Sequence, residues 1–120
     1  MDYRRELKEQ YKNMKPGMGL YMISSKSNNK CFIEATQNLK GTINGTKFKL
    51  GAGNHPNKEL QKEWKQKGEK EFTIEIVEQL SYDKDESKTD YSDELALLKL
   101  IWEEKLEKSG REFFRKSLMR

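Results

Sequence analysis

The chain has 120 residues and a mass of 14.2 kDa, which suits one domain and is too short for two. Charged residues make up 37% and hydrophobic residues 33%, and aromatic side chains, at 10%, are too frequent for a disordered chain. No apolar run approaches the about 18 residues of a membrane span, and no apolar secretion segment opens the chain. The composition therefore predicts a cytoplasmic protein with no membrane partner.

Positive charge is concentrated in the first part of the chain. Residues 1–70 carry 15 Lys or Arg against 7 Asp or Glu, whereas residues 71–120 carry 9 against 13. A basic half is typical of a surface that binds phosphate, although the same charge also keeps ordinary proteins soluble. Charge alone thus makes DNA a candidate partner and leaves a protein partner open.

The first predicted elements are a helix and a hairpin. Residues 1–15 form a helix in which apolar side chains recur every three or four positions. Two antiparallel strands follow at 19–24 and 30–36, where Tyr, Ile, Phe and Met are frequent. The pair Asn28-Asn29 between them tolerates the positive φ of a tight hairpin turn.

Two helices, a third strand and a long helix complete the pattern. A helix starts after Asn38, and a shorter one follows a loop with the single histidine, His55, and ends at Gly68. The alternating segment "EFTIEIVEQL" then predicts a third strand that joins the hairpin. After an acidic loop, the last helix runs to Gly110.

These elements predict one α+β domain over residues 1–120. A small three-stranded antiparallel sheet is flanked by helices, with the extra N-terminal helix at 1–15. Residues 16–110 form the core, and residues 111–120 form a basic tail.

Short strings on these elements resemble those of a GIY-YIG nuclease-type domain. Gly19-Leu20-Tyr21 is on the first strand and Phe32-Ile33-Glu34 on the second, at the positions of the two motifs that name the family. The strings "TQNLKGTINGTKFKL" and "HPNKELQKEW", followed by "GEKEFTIEIVE", extend the likeness over residues 16–110. The resemblance implies a GIY-YIG-like fold, and it implies descent from enzymes that hydrolyse DNA with one divalent metal ion.

The family's chemistry gives a role to several positions. A strand tyrosine acts on the water, a second tyrosine lines the site, an arginine neutralises the phosphate and a glutamate binds the metal, because negative charge builds on the phosphate oxygens. The resemblance retains the first tyrosine as Tyr21. It places other residue types at the remaining positions: Phe32 for the second tyrosine, Glu34 for its glycine, Thr42 for the arginine, Thr46 for a histidine, and Lys99 for the metal-binding glutamate.

An ammonium group at Lys99 repels a divalent cation, so the sequence predicts a catalytically degenerate domain with Tyr21 as a vestige. No cofactor is expected for such a domain. Its predicted role is binding or regulation, for example of transcription, with double-stranded DNA bound weakly and without sequence preference. The lysines predicted to face DNA lie on the two helices after the hairpin: Lys40, Lys47, Lys49, Lys58, Lys62 and Lys65.

Two alternatives stay open. In the first, the protein is an active endonuclease that depends on Mg²⁺ or Mn²⁺, and a relocated carboxylate, Glu103 or Glu34, replaces the missing ligand. In the second, it is a protein–protein interaction module. A nuclease needs a carboxylate and a basic group converging on Tyr21, a DNA binder needs a continuous basic groove, and an interaction module needs an exposed apolar patch.

Overall fold

The computed structural model describes residues 15–114, so the predicted N-terminal helix and the last six residues of the predicted tail lie outside it. The elements in chain order are β1 (Met18–Ser25), β2 (Lys30–Thr36), α1 (Leu39–Ala52), α2 (Lys58–Lys67), β3 (Phe72–Leu80), α3 (Ser92–Lys108) and β4 (Glu112–Phe113). A 3₁₀ turn at Glu69–Glu71 leads into β3. No helix within these residues is both long and apolar enough to span a membrane.

Strand β1 is the centre of the structure. The strand order of the sheet is β3-β1-β2-β4, and β1 pairs antiparallel with both β2 and β3. Side chains alternate across it: Tyr21 and Ile23 pack beneath α1 and α2, and Leu20 packs beneath α3. Neighbouring strands on both edges and helices on both faces explain why the segment "MGLY" is buried throughout.

The sheet has four strands, so the prediction of three is one short. β4 pairs parallel with β2, where the Glu112 amide donates to the Asn29 carbonyl at 3.2 Å and the Phe114 amide donates to the Cys31 carbonyl at 2.9 Å. Phe114, only 4% exposed, joins the core beneath α1 and α2. Two residues are too few to show an alternating pattern, which is why the sequence assigned this segment to a tail.

The hairpin turn also differs from the prediction. Within residues 15–114 only glycines have positive φ, so Asn28 and Asn29 do not adopt the tight-turn conformation. Their side chains make hydrogen bonds instead. The Asn28 side chain accepts from the Lys30 amide at 2.9 Å, and the Asn29 side chain donates to the Gly110 carbonyl. The turn is thereby tied to the end of α3.

Asparagine caps set the starts of the two helices after the hairpin. The Asn38 side chain accepts from the Gly41 amide at 3.0 Å, and the Asn57 side chain accepts from the Leu60 amide at 3.1 Å. Such caps satisfy amides that have no partner inside the helix. They fix where α1 and α2 begin.

Gly19 lies where the backbones of β1 and β3 approach closely, so a substitution at this position tests the pairing of the two strands. A Cβ atom at Gly19 would lie 2.1 Å from the Glu78 carbonyl oxygen, so Gly19→Ala should destabilise the protein by about 1–3 kcal/mol. The control is Gly51→Ala on α1, where a Cβ meets nothing within 4 Å and better helix propensity should stabilise by up to about 1 kcal/mol. Denaturant unfolding measures both changes, and equal stabilities of the two variants would contradict the pairing.

The inclusion of Phe114 in the core is tested by truncating its ring. Phe114→Ala should lower the free energy of unfolding by about 3–5 kcal/mol, because it leaves a cavity beside Phe72. Phe48→Ala is the control, since Phe48 is 76% exposed and its loss should change stability by less than about 0.5 kcal/mol. A negligible effect of Phe114→Ala in the same unfolding assay would argue that β4 does not belong to the folded unit.

Candidate functional site

A groove of about 970 Å³ lies along β2. Its walls come from β2, from α1 with its cap, from the loop before α2, and from α3. The lining residues are Phe32, Ile33, Glu34, Asn38, Gly41, Thr42, Gly45, Thr46, Lys49, His55, Pro56, Asn57 and Lys99. This volume is at the upper end of the range of about 300–1,000 Å³ that is usual for ligand sites.

The five positions that the resemblance predicts to be degenerate all line this one groove. Phe32 and Glu34 are two residues apart on a strand, so they share a face of the sheet. Thr42 and Thr46 are four apart on α1, so they lie one above the other on the same side of the helix. Lys99 reaches the groove from α3, in the layer on the other side of the sheet.

Tyr21 lies beneath the groove and is completely buried. Its hydroxyl donates to the Glu34 carboxylate and lies 2.8 Å from the Thr46 hydroxyl, which therefore acts as the donor in that second bond. Burial, followed by the bond to Glu34, raises the pKa of Tyr21 well above its ordinary value. The hydroxyl stays protonated at neutral pH and is engaged on both sides, so it is a poor base for a water molecule.

Glu34 is the single carboxylate among the described lining residues, and Glu103 does not line the groove. Residues 15–114 contain no group of three or more His, Cys, Asp or Glu side chains that could hold a metal ion. The Thr42 hydroxyl is bonded to the Thr36 hydroxyl at 2.7 Å and brings no charge. The lysines that line the groove are Lys49 and Lys99.

His55 forms part of the groove wall, a position that the sequence did not indicate. It lies in the loop before α2, as predicted, but its side chain is only 4% exposed and meets the Phe32 ring edge-on at 5.2 Å. Its Nδ1 accepts from the Asn57 amide at 3.0 Å. Burial lowers the pKa of His55. The negative charge of Glu34 raises this pKa in part, and the positive charge of Lys49 lowers it further. The ring is therefore neutral at pH 7 and carries its proton on Nε2.

The six lysines predicted to face DNA are all exposed, and they are distributed over two helices. Lys49 lines the groove, whereas Lys40 lines a separate pocket of about 330 Å³ beside β3. Helix periodicity places Lys47, seven residues after Lys40, on the same flank of α1. The other three lysines recur at spacings of four and three and form one stripe on the outer side of α2: Lys58, Lys62 and Lys65.

The buried histidine predicts a pH dependence of stability. Above pH 6.5, the ordinary pKa of histidine, His55 is neutral in both the folded and the unfolded chain. As the pH falls through 6.5 toward the lowered folded-state pKa, only the unfolded chain takes up the proton, so the free energy of unfolding should fall. Denaturant unfolding at pH 7 and pH 5.5 should show a larger loss for the wild type than for His55→Gln. Parallel curves for the two proteins would contradict this assignment.

No protein-family model matches the chain, and no curated protein matches it. Among solved structures, the chain is similar to the catalytic domain of the homing endonuclease I-TevI, with a TM-score of 0.64 and 20% identity over 82% of this chain and 99% of that one. A mutant of the same catalytic domain matches with a TM-score of 0.64 and 18% identity, over 87% and 99% of the two chains. I-TevI is a GIY-YIG homing endonuclease. At these identities the likeness is one of fold, and it confirms the prediction from the two motifs: this chain has the fold of a GIY-YIG nuclease domain.

Proposed function

We propose that this GIY-YIG-like domain binds DNA without cleaving it, as a regulatory protein. The observation that supports the proposal most directly is the charge of the groove. Two lysines line it, Lys49 and Lys99, with one carboxylate residue, Glu34, which accepts a hydrogen bond from Tyr21. Two positively charged side chains and one hydrogen-bonded carboxylate favour the binding of a phosphate over the binding of a metal ion.

The donors on the groove wall do not fit Mg²⁺ or Mn²⁺, so the proposed function uses no metal. Hard divalent cations take several oxygen ligands, often from more than one carboxylate. Here the carboxylate comes from Glu34 alone, and Glu103, one helical turn after Lys99, is not on the wall. The hydroxyls of Thr46 and Thr42 are used in bonds to Tyr21 and Thr36.

The state of Tyr21 also supports binding without cleavage. A tyrosine that assists hydrolysis must reach the attacking water, whereas Tyr21 is buried beneath the wall and its hydroxyl is held by Glu34 and Thr46. Its raised pKa keeps the proton in place. In this proposal Tyr21 is a structural residue whose role is to hold the floor of the groove.

The lysine stripe on α2 and Lys49 supply the proposed DNA contacts. Lysines neutralise phosphates whatever the base sequence, which makes binding non-specific and strongly dependent on salt. Arginine is the side chain that most often recognises guanine in DNA. Within residues 15–114, Arg111 is instead hydrogen-bonded to the Ser24 hydroxyl at 3.1 Å and to the Asn29 carbonyl at 3.3 Å. We therefore expect weak binding to double-stranded DNA with no sequence preference.

One observation favours a second candidate function, a protein–protein interaction module. Three aliphatic side chains on the outer face of α3 are exposed: Leu97 by 59%, Leu100 by 62% and Ile101 by 44%. Exposed apolar patches of this kind are common where one protein contacts another. This candidate replaces the first if the protein neither cleaves nor binds DNA.

The proposal predicts that supercoiled plasmid stays intact when it is incubated with the purified protein and Mg²⁺ or Mn²⁺. Gel electrophoresis should show no nicking by the wild type or by Tyr21→Phe, because the groove lacks the donors for the metal. The same protein should retard a DNA duplex at low salt, and retardation should weaken steeply as salt is added.

A charge-matched pair of triple variants locates the surface. Replacing Lys58, Lys62 and Lys65 by Gln should reduce the slope of log affinity against log salt by about 2.7, or about 0.9 for each phosphate contact. The control replaces Lys84, Lys105 and Lys108 by Gln, which removes the same charge from the acidic half of the chain and should leave the slope unchanged. Nicking by the wild type that Tyr21→Phe abolishes, or no retardation at any salt, would refute the proposal.

A further inference from the structure

Lys99 differs from the other half-buried lysines of residues 15–114. Lys30 and Lys88 are half-buried and form ion pairs with Glu59 and Glu94. Lys15 lies over the Tyr82 ring, with 5.0 Å between its Nζ and the ring centroid. Lys99 is half-buried as well, yet within the described chain it forms no ion pair and no hydrogen bond.

Within residues 15–114 the Lys99 side chain has no counter-charge bonded to it, which leaves an electrostatic imbalance at the groove wall. The other charged groups on the groove wall do not relieve it. Lys49 has the same sign, and the Glu34 carboxylate accepts a hydrogen bond from the Tyr21 hydroxyl and forms no ion pair with Lys99. Charged groups left in this state at a groove are typical of sites that bind a ligand of opposite charge.

We infer that Lys99 is the anchor for a phosphate group in the groove, and that it makes DNA binding independent of divalent metal. The inference rests on the proposed function, which supplies the source of the phosphate as the DNA backbone. An ammonium can bind a phosphodiester oxygen directly through charge-assisted hydrogen bonds. A bridging metal ion is then unnecessary at this position, and Lys49 contributes a second positive charge along the same wall.

The test compares three substitutions by the retardation of a DNA duplex in buffer with EDTA. Lys99→Gln removes the charge and keeps most of the length of the side chain, and it should weaken binding about tenfold, as expected when a hydrogen bond to a charged group is lost. It should also lower the salt slope by about 0.9. Lys99→Arg keeps the charge and should retain most of the affinity. Lys105→Gln, an exposed change on the same helix, should bind as the wild type does.

Two further measurements separate a phosphate anchor for DNA from a residue needed for folding and from a site for free phosphate. Thermal unfolding should show Lys99→Gln to be as stable as the wild type, because the lysine forms no bond in the fold. Isothermal titration of inorganic phosphate into the wild type should show no saturable binding, because the anchored group belongs to the DNA backbone. Saturable phosphate binding that Lys99→Gln abolishes would overturn the assignment to DNA.

The outcomes distinguish this inference from the function on which it rests. Wild-type binding in EDTA, weakened by Lys99→Gln and kept by Lys99→Arg, supports both. Wild-type binding that Lys99→Gln leaves unchanged overturns the inference and leaves the DNA-binding function standing. Wild-type binding that EDTA abolishes overturns the inference and also the metal-free form of the proposed function. No wild-type binding at low salt overturns both.

Discussion

A buried tyrosine hydroxyl joins three elements at the centre of this protein. Tyr21 on β1 stands directly opposite Glu34 on β2, and its hydroxyl also meets Thr46 on α1. The Tyr21 hydroxyl is buried and would be costly to leave unpaired, so its bonds to Glu34 and Thr46 hold the three residues in place. No buried side-chain polar atom within residues 15–114 lacks a partner. The position of α1 on the sheet, and with it the shape of the groove, depends on this junction.

The same junction is central to the proposal that this groove binds DNA without cleaving it. The Tyr21 hydroxyl, buried and bonded to Glu34 and Thr46, is not free to act on a ligand in the groove. The positive charges on the wall then dominate its field, because Lys49 and Lys99 have no carboxylate partner there. In this proposal, the hydrogen bonds of Tyr21 that stabilise the fold are also the reason why Tyr21 does not assist hydrolysis.

The predictable parts of the structure are those set by local periodicity. The hairpin, the helix capped by Asn38 and the helix ended by Gly68 occur where the sequence predicted them, since caps and alternation are properties of neighbouring residues. The grouping of Phe32 with Glu34 and of Thr42 with Thr46 follows from the strand and helix repeats. The contact of His55 with Phe32 and the pairing of β4 depend on distant segments, and no local pattern encodes them. The conformation of the hairpin turn also involves a distant contact, because the Asn29 side chain donates a hydrogen bond to the Gly110 carbonyl.

The pairing of β4 has a consequence for how the chain matures. The hydrogen bond from Asn29 to Gly110 joins residues 81 positions apart, and β4 follows shortly after Gly110. The outer edge of β2 therefore stays unpaired until this last part of the domain has been synthesised. On the ribosome, the hairpin and α1 can assemble early, while the main-chain groups of Lys30 and Cys31 stay open to other chains. Shortened products that end before residue 112 would keep that open edge and would lack the Phe114 ring that fills the core. Such fragments are the form in which this small domain is most exposed to aggregation.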